Sequence, residues 1–257
     1  MAQDRVWVVP QNDLEALAIR QLLESSGEQV LVTNQPWGAT WDGLEGGIQE
    51  RLEELPRETR VYGVELGGSN SFGATNIDHH TYQGDDRWRA VSSLEQVAAL
   101  MGVRLDRRQE LIAANDRGYV PAMLAMGASA AEIAATREAD RRAQGITADM
   151  ERTAEAEVAL AERLPGDRVQ VSVARPTAAH LDLLWISGGE VLLMGQEQWE
   201  YSGGRYRELP AMKFGESNWM GGSGTSGYFG IVRPSDATRL RIREWFSEGP
   251  RDSPTKR

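Results

Sequence analysis

The sequence predicts an α/β protein: an N-terminal domain on a mainly parallel sheet with helices on both faces, a helical connection, and a smaller α+β C-terminal domain. Three observations carry this. Short apolar runs alternate with amphipathic stretches through the first third of the chain, the pattern of a parallel sheet whose crossovers are helices. From Ser92 to Arg163 the chain is rich in Ala, Glu and Arg, which favour helix. After Pro165-Gly166-Asp167, strand-like runs separated by Gly-rich turns take over. At 257 residues the chain accommodates two domains of unequal size. The expected divisions are 1–120, a connector over 121–165, a second domain over 166–247 and a disordered tail over 248–257.

The elements follow in order. Arg5 to Val9 (RVWVV) is an apolar run read as a buried strand. Asn12 or Asp13 can cap the next helix, which places Leu14, Leu17, Ala18 and Leu22 on one face and ends at Gly27. Gln29 to Thr33 is a second strand, Leu44 to Leu55 a helix stopped by Pro56, Arg60 to Leu66 a third strand, and Asn76 to Asp78 the end of a fourth. Ser93 opens a helix over Leu94 to Met101 that Gly102 closes, and Arg107 to Asn115 is another. Ala128 to Arg142 and Thr147 to Arg163 read as helices whose charges form a solvated face. Arg168 to Ala174, Val191 to Gln196 and Gln198 to Ser202 read as strands, and Arg239 to Phe246 as a terminal helix.

Composition removes several function classes. Cysteine is absent, which excludes a disulfide framework, a thiolate zinc site and a cysteine nucleophile. With only His79, His80 and His180, a metal site must draw most of its ligands from carboxylates, which favours Mn²⁺ or Mg²⁺. No apolar run approaches the ~20 residues needed to span a bilayer. The first residues lack a signal-peptide pattern, so the expectation is a cytoplasmic protein with no membrane partner. The net charge of −10 is uneven: residues 1–162 balance to −12 and residues 163–257 to +2. An acidic body argues against capture of long duplex nucleic acid, which needs a basic stripe. It leaves room for a small phosphorylated ligand between an acidic half and a mildly basic one. Homodimerisation is left open.

The most specific local feature is Asp78-His79-His80, reached through the polar loop Gly67 to Asn76. Alone, it is equally two histidines on a surface loop. Other acids accompany it. Asp13-Leu14-Glu15 follows the first strand, Glu65 ends the third, and Asp116 ends the helix LIAAND. In a parallel sheet, ligands collect beyond the carboxyl ends of the strands, where these groups would lie. Glu65 between Val64 and Leu66 is expected to be buried, and a buried carboxylate needs a partner or a metal. Helix capping is the ordinary alternative for Asp13, and capping or ion pairing for Glu65.

This ordered set resembles the DHH phosphoesterase superfamily, whose members include RecJ-type exonucleases, nanoRNases, cyclic-dinucleotide phosphodiesterases and manganese pyrophosphatases. Its first motif is an acid pair separated by one residue, similar to Asp13-Leu14-Glu15. The strand-terminal Asp of the second motif is matched in position by Glu65, and the name-giving triplet by Asp78-His79-His80. A following helix that opens with Ser and an acid is similar to Ser92-Ser93-Leu94-Glu95, and the fourth-motif Asp is matched by Asp116. The resemblance covers roughly residues 5–120. Family members place a His or Asp a few residues before the acid pair, where this chain has Val9 and Gln11, and Asp is replaced by Glu at positions 15 and 65. One metal site is thereby weakened. The family's C-terminal domain carries a Gly-rich substrate loop with a histidine. Met220 to Gly230 resembles that loop but lacks the histidine.

The resemblance implies a manganese-dependent phosphoesterase, with two ions clamping a phosphoryl group. Asp13, Glu15, Glu65, His79 and Asp116 would be the ligands. Asp78 would orient His79, and His80 would face the scissile phosphate. The loop residues Gly221, Gly222, Ser223, Gly224, Thr225 and Ser226, with an arginine (Arg205, Arg207 or Arg233), would hold a further phosphate across a cleft between the domains. The implied substrate is a nucleotide, cyclic dinucleotide or short oligonucleotide. The alternatives are an impaired member that binds such a ligand, and a pyrophosphatase-like activity. His180, in an apolar stretch, reads as a core or capping histidine. Trp7 reads as core, and burial is the ordinary reading of Trp37, Trp41 and Trp88.

Overall fold

The structure, a computed structural model, describes residues 5–79, 91–185, 188–223 and 226–250. The chain divides into two compact units between Gly145 and Ile146. That division falls inside the stretch expected as a connector, so the helices before Gly145 pack with the first sheet and the next helix with the second.

In the first unit, β1 (Arg5–Pro10), β2 (Gln29–Thr33), β3 (Arg60–Val64) and β4 (Thr75–Ile77) form a sheet of order β2-β1-β3-β4. Every pairing is parallel, with Trp7 opposite Val30 and Tyr62, and Val64 opposite Ile77. Strand alternation sends Trp7 and Val9 to one face and Val6 and Val8 to the other, and both faces are covered. On the first face Trp7 and Val9 meet Leu14, Ile19 and Leu23 of α1 (Leu14–Ser25), Leu94 and Val97 of α3 (Ser93–Met101), and Ile112 of α4 (Arg107–Ala125). Trp7 also stacks on Tyr62 at 4.6 Å between ring centroids. On the second face Val6 and Val8 meet Trp41, Leu44 and Leu52, the last from α2 (Gly46–Glu53). The α/β class, the parallel sheet and the helices on both faces stand as expected.

The helix starts follow capping chemistry. Asp13 caps α1 by accepting from the Ala16 N–H at 2.8 Å. Ser92, one residue before the expected position, caps α3 in a capping box with Glu95, and left-handed Gly102 ends that helix. α4 runs ten residues past its expected end and is broken inside: Gly118 (φ −166°) and Tyr119 (φ 57°) leave helical geometry. Pro121 sits in the turn after the break, where a missing N–H is tolerated. α5 (Ala130–Ala143) follows, with Ser129 and Glu132 in another capping box.

The second unit holds α6 (Ala148–Val158), β5 (Glu162–Leu164), β6 (Arg168–Ser172), α7 (Ala178–Leu184), β7 (Glu190–Met194), β8 (Gln198–Gly203), the short α8 (Glu208–Ala211), β9 (Asn218–Ser223), β10 (Ser226–Val232) and α9 (Asp236–Glu248). Its sheet order is β5-β6-β7-β8-β10-β9. β6 and β7 are parallel across the α7 crossover and the other pairs antiparallel. Val191 and Leu193 pack with Leu184 and Val158 on one face. Leu192 and Met194 pack with Ile242 and Phe246 of α9 on the other. Here sequence reading errs more. The helix expected to reach Arg163 stops at Val158, because Glu162–Leu164 pairs as an edge strand on β6. The seven-residue α7 was not expected. The stretch read as a Gly-rich loop places its described residues in two paired antiparallel strands, β9 and β10. Residues 251–257, expected as a tail, lie outside the described residues. Among the described residues, no helix is long and apolar enough to cross a membrane.

Candidate metal centre

The candidate centre lies at the carboxyl edge of the first sheet. Glu15 stands in the first turn of α1, directly after β1. Glu65 is the residue after β3. It adopts φ 51°, in the left-handed region that costs a non-glycine residue about 1 kcal/mol or more, and donates its N–H to the Ile77 carbonyl at 2.8 Å. β3 therefore ends at Val64 and not at Leu66, and the Glu65 backbone turns off the strand direction where its carboxylate is needed. His79 follows β4 by two residues, and Asp116 sits just before the break in α4.

These four side chains converge. Each offers one donor atom, and all four donors lie within 4.8 Å of one another. His79 Nε2 is 2.7 Å from Asp116 Oδ2 and 3.4 Å from Glu65 Oε1. The start of α3 fixes two of the carboxylates: the Ser93 hydroxyl donates to Glu65 Oε1 at 2.9 Å and the Leu94 N–H to Glu15 Oε1 at 3.0 Å. Glu15 and His79 are 2% and 0% exposed. Burial, and then the neighbouring Asp116 and Glu65 carboxylates, hold Glu15 well above the ordinary carboxylate range. The Leu94 N–H and the Ser92 hydroxyl pull the other way and do not prevail. Glu15 Oε2 is buried with no hydrogen-bond partner among the described residues.

This donor set fits a divalent cation. Donors bonded to one ion at about 2.0–2.3 Å lie roughly 3–4.5 Å apart, and the four here lie within 4.8 Å of one another with one pair at 2.7 Å. Three carboxylates and an imidazole suit Mn²⁺ or Mg²⁺. Three carboxylates at such distances, one buried and two half-buried, repel one another, and a cation reverses that term. The buried Glu15 oxygen has an open lone pair for it.

The other expected site residues fall elsewhere. Asp13, expected as a ligand, is not in the converging set; its carboxylate caps α1. Asp78 lies half-buried between β4 and His79. His80 lies outside the described residues, as do Gly224 and Thr225. Gly221, Gly222 and Ser223 belong to β9, and Ser226 begins β10, with Ser223 opposite Ser226 and Gly222 opposite Gly227. The glycines answer to this pairing: a Cβ on Gly222 (φ 120°) would meet the Gly227 Cα at 2.2 Å. In the described part of this stretch the glycines therefore serve a cross-strand contact that excludes side chains. Arg233 is exposed and pairs with Glu197 at 2.5 Å. Arg205 is buried against Glu190. His180 is buried between Thr177 and Glu157, 2.8 Å from each, in the structural role expected of it. Trp41 is buried, but Trp37 is 57% exposed, against expectation.

The sequence also misplaced two charges. Arg137 and Asp140 of α5, expected on a solvated face, are 7% and 5% exposed and bonded to each other. The signal for them is faint, because a pair at i,i+3 in an Ala-rich helix reads as an ordinary surface pair.

No protein-family model matches the sequence, and no curated protein matches it. Solved structures do. One, described as the DHH domain of a member of the S1p family of ribosomal proteins, aligns at TM-score 0.54 and 13% identity, covering 95% of this chain and 85% of that one. Another, the exonuclease RecJ bound to manganese, aligns at TM-score 0.43 and 10% identity over 96% and 91% of the two chains. On the first of these alignments, the chain shares the fold of that DHH domain.

Proposed function

We propose that this chain is a metal-dependent phosphoesterase that hydrolyses a phosphodiester bond in a nucleotide, cyclic dinucleotide or short oligonucleotide. The observation that carries the reading is the convergence of Glu15, Glu65, His79 and Asp116, with Glu15 and His79 buried and the four donors within 4.8 Å of one another. A divalent ion bound there supplies Lewis acidity toward a phosphoryl oxygen. The protein's own groups do the rest. Ser93 and the Leu94 N–H hold two carboxylates in fixed orientation. Asp78, next to His79 in the chain, is proposed to orient it. His80, by the motif resemblance, would donate a proton to the leaving oxygen or balance its charge.

The converging set among the described residues would hold one ion, and the second ion that the motif resemblance implies would need further ligands besides these four, Asp13 being bonded through Oδ1 to the start of α1. This observation also favours a second reading, a DHH-fold protein that binds a phosphorylated ligand without turning it over. A hydrolysis panel with Mn²⁺, spanning pyrophosphate, dinucleotides, cyclic dinucleotides and short oligonucleotides, separates the two. The enzyme reading expects turnover of a phosphodiester that EDTA abolishes. His80→Ala should then lower kcat and spare Mn²⁺ affinity. Binding of these compounds with no turnover supports the second reading, and pyrophosphate turnover alone overturns the phosphodiester assignment.

A further inference from the structure

Behind the converging donors lies a second buried polar group that the proposed chemistry does not use. Arg137 donates from Nη1 to Asp140 Oδ2 at 2.6 Å and to Asn115 Oδ1 at 2.9 Å. Its guanidinium lies 4.4 Å from the centroid of the Tyr119 ring. Asp140 accepts from Gln144 at 3.0 Å and, more weakly at 3.4 Å, from the Leu14 N–H. Arg137, Asp140 and Asn115 are all more than nine-tenths buried.

The partners are not arbitrary. Leu14 is the first residue of α1 and immediately precedes Glu15. Its N–H is one of the orphan donors at a helix start, and a carboxylate there is favoured by the helix dipole. Asn115 immediately precedes Asp116. Tyr119 is one of the two residues that make the break in α4, in the left-handed region. Arg137 therefore holds the end of the helix before the break and the break itself, and Asp140 holds the start of α1. One helix of the unit, α5, ties together the two segments that supply Glu15 and Asp116.

A buried ion pair is a poor source of stability, since apolar residues of the same volume serve as well or better. Such a pair is retained where it fixes geometry. We infer that Arg137 and Asp140 are positioning residues of the metal centre, holding the Glu15 and Asp116 segments at the separation that one divalent ion requires. This rests on the metal-site reading above. Removing outer partners of metal ligands lowers affinity by about 10- to 100-fold in comparable centres.

The test is Mn²⁺ calorimetry together with the thermal stability of the metal-free protein, on wild type and on the double variant Arg137→Met with Asp140→Leu. The expected result is a metal-free Tm equal to or above wild type with Mn²⁺ affinity lowered ~10-fold or more. Unchanged affinity in a folded double variant overturns the inference and leaves the metal-site reading standing. A wild type that binds no Mn²⁺ overturns both. Should the double variant lose its circular dichroism signal, Asn115→Leu decides: it removes a neutral partner and leaves the pair intact. Lowered affinity in that variant supports the inference, and unchanged affinity overturns it.

Discussion

Each unit buries a cluster of charge, and the two clusters are built on opposite terms. In the second unit Glu190 meets Arg205 with both oxygens, at 2.9 and 3.1 Å from Nε and 2.6 Å from Nη2. The guanidinium lies 4.1 Å from the Trp245 ring centroid, and the Arg205 N–H donates to the Tyr201 hydroxyl. One positive charge answers one negative charge and the donors are used. In the first unit, three carboxylates surround one imidazole, Glu15 is held above its ordinary range, and one of its oxygens has no hydrogen-bond partner among the described residues. A closed pair holds a fold together. A cluster of carboxylates weakens the fold through like-charge repulsion, which a cation bound there would relieve.

Four substitutions probe the two units, in order of decreasing effect. Arg205→Met strips the closed pair of its cation and leaves Glu190 buried alone. Stability should fall by about 3–5 kcal/mol, read by denaturant unfolding. A loss under ~1 kcal/mol would remove the contrast between the clusters.

Gly222→Val tests the hairpin. Its new side chain would strike the Gly227 backbone, so a loss of about 1–3 kcal/mol is expected. A fold as stable as wild type would show that the strands can part there.

Glu15→Gln should act in the reverse sense. Neutralising one carboxylate of the cluster should raise metal-free stability by roughly 1 kcal/mol while weakening Mn²⁺ binding. A Tm in EDTA below that of wild type would contradict the repulsion account.

The smallest effect concerns Glu216, which accepts from the Ser235 N–H and the Thr238 hydroxyl at the start of α9. These bonds, the Ser235 N–H first, lower it to about 2 in the folded protein. Its contribution is therefore present above its unfolded value near 4.5 and is lost as pH falls from there toward 2. Glu216→Gln should flatten the acid limb of the stability profile by a small amount, because the group is half-exposed. Identical profiles from pH 6 to pH 3 would remove this contribution.

How far the sequence could be read differs between the units for a physical reason. The first sheet was legible because its strands are continuous apolar runs bounded by caps and glycines: QVLVT and its observed span coincide. The four converging donors were legible because each follows a strand or ends a helix segment, so chain order alone brings them to one edge. The Asp13 cap was not separable from ligation, since Asp after a strand serves either purpose. The break at Gly118-Tyr119 was hidden because nothing local marks a tyrosine for positive φ. In the second unit, glycines at 221, 222 and 227 suggest a loop, yet they permit close strand pairing. Whether a glycine serves a turn or a tight cross-strand contact depends on a partner strand that local pattern does not reveal. Burial of Arg137 and Asp140 was unreadable for the same reason: it depends on where α5 docks.

The central claim is that Glu15, Glu65, His79 and Asp116 form one metal site. Calorimetric titration of the metal-free protein with Mn²⁺, in wild type and His79→Ala, tests it most directly. The account predicts one ion per chain, bound more tightly than millimolar, and at least a ~10-fold weaker affinity in His79→Ala. No site tighter than millimolar in the wild type, or equal affinity in the two proteins, would contradict it.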